Sequence, residues 1–329
     1  MTRVACIDIG TVTCRLALAD VAGGRVVRMA KQTTICDLGE GLDATGRISD
    51  AARDRVLACV DAYLVAARSA AVPVASCTLT SAARDAENSD ELLDGLTARG
   101  LKPEIIPGEV EGRLTFLGVA QDFAGQAILI ADNGGGSTEL ALGALADGVV
   151  DIAYVHSVDV GCRRITERFL AEHADGVPTE EELAAAHAWA AEQLAPTVAK
   201  VRATGVVPSQ LIACGGTVTT LVALDAQLVP YDSAFVHLHE LTLDTVERLE
   251  AELAARPVEA RAVLPGIQAK RAGVILGGTV IIAELLRATG FDALTVSESD
   301  LLFGLSLSAA AAYEGAEPPI GWRPTLASL

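Results

Sequence analysis

The stretch Cys6-Ile7-Asp8-Ile9-Gly10-Thr11-Val12-Thr13-Cys14-Arg15-Leu16-Ala17-Leu18 lies without a gap over Ile130-Ala131-Asp132-Asn133-Gly134-Gly135-Gly136-Ser137-Thr138-Glu139-Leu140-Ala141-Leu142, a shift of 132 − 8 = 124 positions. Asp8 falls on Asp132, Gly10 on Gly134 and Thr13 on Ser137; further along, Gly24 falls on Gly148 and Val26 on Val150. Each copy reads as an apolar strand, a Gly-containing turn opened by Asp, a second strand, a Gly turn and a third strand. One Asp-x-Gly arises by chance, but an ungapped match over some twenty residues with the same strand–turn–strand logic predicts two related domains. At 329 residues the chain is long enough for both.

The remaining segments read as α/β. Apolar positions at helical spacing (Val56, Leu57, Val60, Tyr63, Leu64) predict a helix over 49–70 with Ser49 as N-cap. Further helices are expected over 90–97, 109–120, 179–203, 243–255, 269–289 and 301–313, with Gly215-Gly216 opening another. Strands are expected over 72–79, 104–106, 211–214 and 295–296, and residues 314–329, with three Pro, read as a tail. No low-complexity linker separates the halves, so the boundary near 124–126 is expected to be a hinge.

Asp and Glu total 43 against 25 Lys and Arg, a net charge of −18. That balance repels nucleic acid and anionic lipid, and any site for an anionic substrate must gather its few Arg locally. With 51% hydrophobic residues and a mean hydropathy of +0.38 the chain is globular. The seven Cys are scattered without a Cys-x-x-Cys pair and read as small buried hydrophobes of a reducing compartment. The N-terminus lacks a signal-peptide apolar stretch, and the longest late apolar run, 272–283, is too short for a membrane span. A cytoplasmic protein is expected.

Asp132-Asn133-Gly134-Gly135-Gly136-Ser137-Thr138-Glu139 is the most informative stretch. Three Gly let the backbone approach a ligand with its amides bare, which suits phosphate oxygens. Asp132 and Glu139 add hard oxygen ligands suited to Mg²⁺. Asp8-Ile9-Gly10-Thr11 is expected to be the facing loop of the first domain. Gly108-Glu109-Val110-Glu111-Gly112-Arg113 sets two carboxylates at a helix start. Dipole complementarity alone accounts for them, or one of the two orients water. Arg84, in Thr80-Ser81-Ala82-Ala83-Arg84-Asp85, is either a phosphate clamp or a surface partner of Asp85 or Glu87. Gly215-Gly216-Thr217, between a strand and a helix, is either an anion site or a tight turn. The five His (156, 173, 187, 237, 239) show metal spacing only in His237-x-His239-Glu240, where solvated positions are the simpler reading.

These residues resemble the actin, sugar-kinase and heat-shock-chaperone superfamily, and within it the exopolyphosphatase/guanosine pentaphosphate phosphohydrolase family in a short, two-domain form. The resemblance covers nearly the whole chain. Beside the blocks above it rests on Gly161 through Arg164-Ile165-Thr166-Glu167 and on Leu264-Pro265-Gly266. It implies two related actin-like (ribonuclease H-like) ATPase-superfamily domains flanking an interdomain cleft: 1–125, completed by the C-terminal helix at about 301–329, and 126–300. It implies hydrolysis of a terminal phosphoryl from polyphosphate or, linking the chain to the stringent response, from guanosine pentaphosphate. Glu111 matches the family's catalytic carboxylate, with Asp8, Asp132 and Glu139 as ligands of Mg²⁺ or Mn²⁺. Phosphate would be gripped by Arg84, Arg15, Thr11, Gly134, Gly135, Gly136, Ser137, Gly215 and Gly216. No nucleic acid or membrane partner is implied, and a homodimer is compatible with the resemblance. Longer relatives carry an additional helical domain with a His-Asp pair, a dipeptide this sequence does not contain.

Five positions depart from the family pattern, the mildest being Thr11, which stands for a Ser. Val12 stands for an Asn, Asp37 for an Arg and Asn133 for an apolar residue, and Leu302 lies in a segment that usually ends Gly-Leu-Arg-Glu-Gly. The thinned anion shell favours short polyphosphate over long polymer. Two other classes are an ATP-using kinase, against which the Glu111 and Arg84 blocks argue, and a regulator that binds polyphosphate or guanosine tetraphosphate without turnover.

Overall fold

The computed structural model describes residues 1–170 and 177–329. The first copy of the repeat forms β1 (Thr2–Ile9), β2 (Thr13–Ala22) and β3 (Arg25–Ile35). Helix α1 (Asp50–Ser69) then returns the chain to β4 (Val74–Leu79), which pairs parallel to β1, and β5 (Pro103–Ile105) pairs parallel to β4. A parallel neighbour needs such a crossover. Ser49 caps α1 by accepting from the Ala52 N–H at 3.2 Å, and the helix buries Val56, Val60, Tyr63 and Leu64. Helix α2 (Gly108–Val119) follows.

The second copy forms β6 (Ala127–Asn133), β7 (Thr138–Ala146) and β8 (Val149–Val158), followed by α3 (Cys162–Phe169) and α4 (Glu180–Ala203). Thr179 and Glu182 close α4 with a reciprocal capping box. β9 (Leu211–Cys214) lies parallel to β6 and leads into α5 (Gly216–Asp225). β10 (Glu240–Thr242), α6 (Leu243–Ala254), α7 (Ile275–Thr289) and β11 (Ala293–Val296) complete this half, with β11 parallel to β9. Residues 269–289 are not one helix: a 3₁₀ turn, Ala269–Arg271, is separated from α7 by Gly273, a poor helix former.

Finally α8 (Leu301–Glu314) and β12 (Ala327–Ser328) follow. The expected tail is tied down, because β12 pairs antiparallel to β4 through Ala327 and Ala75. The sheets run β12-β4-β1-β2-β3, with β5 also on β4, and β10-β11-β9-β6-β7-β8.

The repeat extends to single hydrogen bonds. The Gly10 N–H donates to the Thr13 carbonyl at 2.9 Å, and 124 positions on the Gly134 N–H donates to the Ser137 carbonyl at 3.0 Å. Both copies also turn their second hairpin through two left-handed residues, Gly23 and Gly24 (φ 57° and 72°) and Asp147 and Gly148 (φ 51° and 77°). Positive φ at both centres is the type I′ signature, which matches strand twist.

Contacts divide the chain into two units, Met1–Gly125 with Ala144–Asp151 and Asp300–Leu329, and Gln126–Gly143 with Ile152–Ser299. In the first, α1 covers one face of the sheet, while α2 and α8 cover the other through Leu114, Leu117, Leu301, Leu302 and Leu305. Leu302 is therefore a core residue and no part of an anion shell. A Cβ on Gly304 would run into the Leu114 backbone, and one on Gly118 into the Asp300 carbonyl, so α2 and α8 cross in close backbone contact. In the second unit, α7 is buried from Ile275 through Leu286 and forms the centre of a layer with α4, α5 and α6. Among the described residues no helix is long and apolar enough to cross a membrane.

Candidate active site

In the first unit, Asp8 is the penultimate residue of β1 and stands directly opposite Arg15 on β2. Arg15 donates to Asp8 Oδ2 from Nη2 at 2.6 Å and from Nε at 2.9 Å, and its Nη1 reaches Asp300 at 3.1 Å. Asp300 in turn caps α8 by accepting from the Leu302 N–H. Asp8 is only 1% exposed, and burial pushes its carboxyl above the usual range although Arg15 pulls the other way. Arg15, expected on phosphate, is engaged with two carboxylates. The neighbouring turn is held by the loop after β3: the Cys36 and Asp37 amides donate to the Val12 carbonyl, and the Gly39 amide to that of Thr11. The Thr11 and Ser81 hydroxyls are buried with no partner among the described residues, which leaves them suited to a ligand's oxygens.

The two carboxylates at the start of α2 separate cleanly. Glu109 is exposed, whereas Glu111 is 8% exposed and accepts from Arg84 Nη1 at 2.7 Å. The same nitrogen donates to the Ile106 carbonyl at 3.0 Å. Arg84 is thus a salt-bridge partner of Glu111 in the first unit.

In the second unit the Gly run is held through its carbonyls. The Cys162 amide donates to Gly134, the Arg163 amide to Gly135 and Arg164 Nε to Gly136, at 2.9–3.0 Å. Neither the Gly135 nor the Gly136 amide has a partner among the described residues, the condition under which backbone amides receive an anion. Gly161 packs so closely on Gly135 and Gly136 that a Cβ there would collide with them. Glu139 accepts from Ser137 Oγ at 2.8 Å and from Ser157 Oγ at 2.7 Å. Gly215 has φ 102°, and a Cβ there would sit 2.6 Å from the Asn133 carbonyl oxygen and 3.2 Å from Asp132 Oδ1. The Gly215-Gly216 turn therefore lies against the end of β6 at the N-terminus of α5. A Cβ on Gly216 would strike the guanidinium of Arg271.

Hard oxygens at Asp132, Glu139, Ser137 and Ser157 suit Mg²⁺, which takes one or two carboxylates and fills its remaining positions with water and phosphate. Among the described residues no group of three or more His, Cys, Asp or Glu is arranged to hold a metal by itself. The donor chemistry fits an ion completed by a phosphate ligand. His237 and His239 do not share a strand: His237 accepts from the Glu298 N–H, and His239 stacks on Phe235 before β10. His173 lies outside the described residues.

The model of the Ppx/GppA phosphatase family matches residues 18–311. The chain belongs to that family. It is similar to Exopolyphosphatase 2 of Mycobacterium tuberculosis, 35% identical over 330 residues that cover 94% of this chain and 99% of that one. Among solved structures it is similar to the Ppx/GppA family member of Aquifex aeolicus, with TM-score 0.75 at 30% identity, covering 93% and 97% of the two chains. It is also similar to an exopolyphosphatase from Cytophaga hutchinsonii, with TM-score 0.83 at 27% identity and coverage of 98% and 100%. The two sheets are thus the two actin-like domains of this family, and the chain is a phosphatase-type hydrolase.

Two residues of the second unit carry roles that no local motif announces. Arg271 reaches the Gly215-Gly216 turn from 271 − 216 = 55 positions away, with no local motif to announce it. Asn133 is a hub: its Nδ2 donates to Thr138 Oγ1 at 3.0 Å, and its Oδ1 accepts from Thr217 Oγ1 at 2.8 Å. It joins the Gly run to α5.

Proposed function

We propose that the chain releases the terminal phosphate of inorganic polyphosphate, short chains above long ones, by attack of a water on the terminal phosphorus. The observation that carries this reading is the asymmetry at α2, where Glu111 is buried and held by Arg84 while Glu109 is exposed. A carboxylate fixed at one oxygen by a guanidinium orients a water and accepts its proton as the nucleophile forms. Phosphoryl transfer needs little covalent help, so the rest is positioning and charge. The amides of Gly135 and Gly136 and the cation of Arg271 at the Gly215-Gly216 turn receive phosphate oxygens. Arg15 holds Asp8 in place. Asp132 and Glu139 would hold Mg²⁺ or Mn²⁺, which when bound neutralises charge on the phosphates. The relatives named exopolyphosphatases support polyphosphate as the substrate class.

The test is phosphate release from a three-phosphate chain, long polymer, guanosine pentaphosphate and ATP, with Mg²⁺ and with excess chelator. Release from inorganic chains that stops with chelator is expected. Turnover of guanosine pentaphosphate alone, or full activity in chelator, would overturn the substrate or the metal role respectively.

A further inference from the structure

Three of the seven free cysteines meet in the first unit: Cys14 on β2, Cys36 just beyond β3 and Cys59 on α1. Cys14 pairs with Thr34 across β2 and β3, and Tyr63, one turn beyond Cys59 on α1, donates its hydroxyl to the Cys14 carbonyl at 2.8 Å and to Thr34 Oγ1 at 2.9 Å. The Cys36 sulfur sits 3.9 Å from the carbonyl oxygen of Arg55, one helical turn before Cys59. Helical side chains lean toward the N-terminus, so the Cys59 side chain extends over that same turn. Cys14 and Cys36 are buried, whereas Cys59 is partly exposed. Hydrogen bonds from Cys14 and then Cys36 draw the Cys59 thiol well below its ordinary range, while the same contacts push Cys14 well above it. Cys59 is therefore the sulfur that a reagent can reach, and Cys36 stands behind it as the second thiol.

We propose that Cys59 and Cys36 form a redox-active dithiol in which Cys59 reacts with a hydroperoxide and Cys36 resolves the product into a disulfide. The Cys59 thiolate attacks the peroxide oxygen and the O–O bond breaks. Cys59 becomes a sulfenic acid, and the leaving hydroxide or alkoxide takes a proton to give water or alcohol. The Cys36 sulfur then attacks the Cys59 sulfur; the S–S bond forms, the S–O bond breaks, and the hydroxyl leaves as water with the Cys36 proton. Two thiols lose two electrons and one peroxide gains them.

The bridge has a place to act. The Cys36 and Asp37 amides hold the Val12 carbonyl at 3.0 and 2.9 Å, and Arg55 Nε donates to the Cys36 carbonyl at 2.8 Å. A disulfide would therefore tie α1 covalently to the segment that buttresses the Gly10–Thr13 turn.

The test treats the full chain with hydrogen peroxide, alkylates the remaining thiols and maps disulfides by peptide mass. The expected result is a Cys36–Cys59 bridge that dithiothreitol reverses. Cys59→Ser should slow peroxide consumption about tenfold or more, because it removes the one sulfur of the three that peroxide can reach. Cys36→Ala, which keeps the buried site apolar, should stop at a Cys59 sulfenic acid trapped by a cyclic dione. A bridge elsewhere, unchanged peroxide consumption in Cys59→Ser, or persistence of all three thiols would overturn the proposal. Phosphate release is not the readout, so the outcome is independent of the substrate assignment.

Discussion

Arg84 Nη1 lies 2.7 Å from Glu111 Oε2 and 3.0 Å from the Ile106 carbonyl oxygen, so one nitrogen joins the first turn of α2 to the chain leaving β5. Ile106 is anchored in turn by its own N–H, which donates to the Leu79 carbonyl at the end of β4 at 3.0 Å. The carboxylate is held against the sheet and not left to rotate in solvent. A side chain positioned in this way has lost its conformational freedom before substrate arrives.

Glu111→Gln should therefore reduce kcat by about two to four decades, the scale of a lost general base, and leave KM nearly unchanged. Glu109→Gln should stay close to the parent. Steady-state phosphate release from both variants checks this, and a reversal of the two results would move the catalytic role to Glu109.

Gly304→Val should destabilise the first unit by roughly 3 kcal/mol or more, at the upper end of overpacking costs, because the new Cβ meets the backbone of Leu114 and not a movable side chain. Gly118→Val should behave alike against Asp300. Denaturant unfolding measures both. A wild-type midpoint for either variant would mean that α2 and α8 do not cross as closely as described.

His187 on α4 clasps two neighbouring helices, with Nε2 2.8 Å from Glu250 on α6 and Nδ1 2.8 Å from Glu284 on α7. Arg287 also pairs with Glu284 and with Glu247. Hydrogen bonds that the imidazolium donates to Glu250 and then to Glu284 raise the imidazole from 6.5 to about 9. Since the folded value exceeds the unfolded one, the clasp's contribution is fully present below about pH 6.5 and is lost as the pH rises through about 9. The stability gap between the parent and His187→Gln should shrink by roughly 3 kcal/mol between mildly acidic and strongly alkaline buffer, the size of a rise from 6.5 to about 9. Thermal melts across that range decide it, and a gap that does not change with pH would refute the charged clasp.

Legibility in the sequence followed the range of the interactions. The repeat is local, so its strands, its I′ turns and even the paired Gly10 and Gly134 hydrogen bonds sit where a shift of 124 puts them. Ser49 and Thr179 announce their helices for the same reason. Glu109 and Glu111 were beyond pattern, because two residues apart they point to nearly opposite sides of a helix and only the surrounding fold shows which side is buried. Leu302 was misjudged because an apolar residue in a polar segment looks like a lost charge until the α2–α8 crossing encloses it. Cys14, Cys36 and Cys59 have no spacing motif, and their meeting depends on α1 lying across β2 and β3.

Chain-length preference is open to a direct test. A long polyphosphate must be followed past its end by positive charge, and each phosphate contact that is absent weakens polyanion binding by reducing counterion release. With a net charge of −18 the chain offers long polymer an acidic surround. Asp37 adds to this beside the Gly10–Thr13 turn, to which its amide is bonded through Val12. Leu302 adds nothing, being buried. The binding groups already named need only a few phosphates to fill them, so further units of a longer chain meet repulsion without new contacts. The value of kcat/KM per chain end should thus be higher for a three-phosphate chain than for one of several hundred units at matched salt. Asp37→Asn removes the charge while keeping a residue type that tolerates the left-handed backbone found there, φ 50°. This variant should raise kcat/KM for the long chain a few-fold, roughly the effect of one screened charge near a polyanion, and leave the short chain nearly unchanged. A parent enzyme that prefers the long polymer would require a basic track along its surface and would overturn the short-chain assignment, whatever Asp37→Asn does.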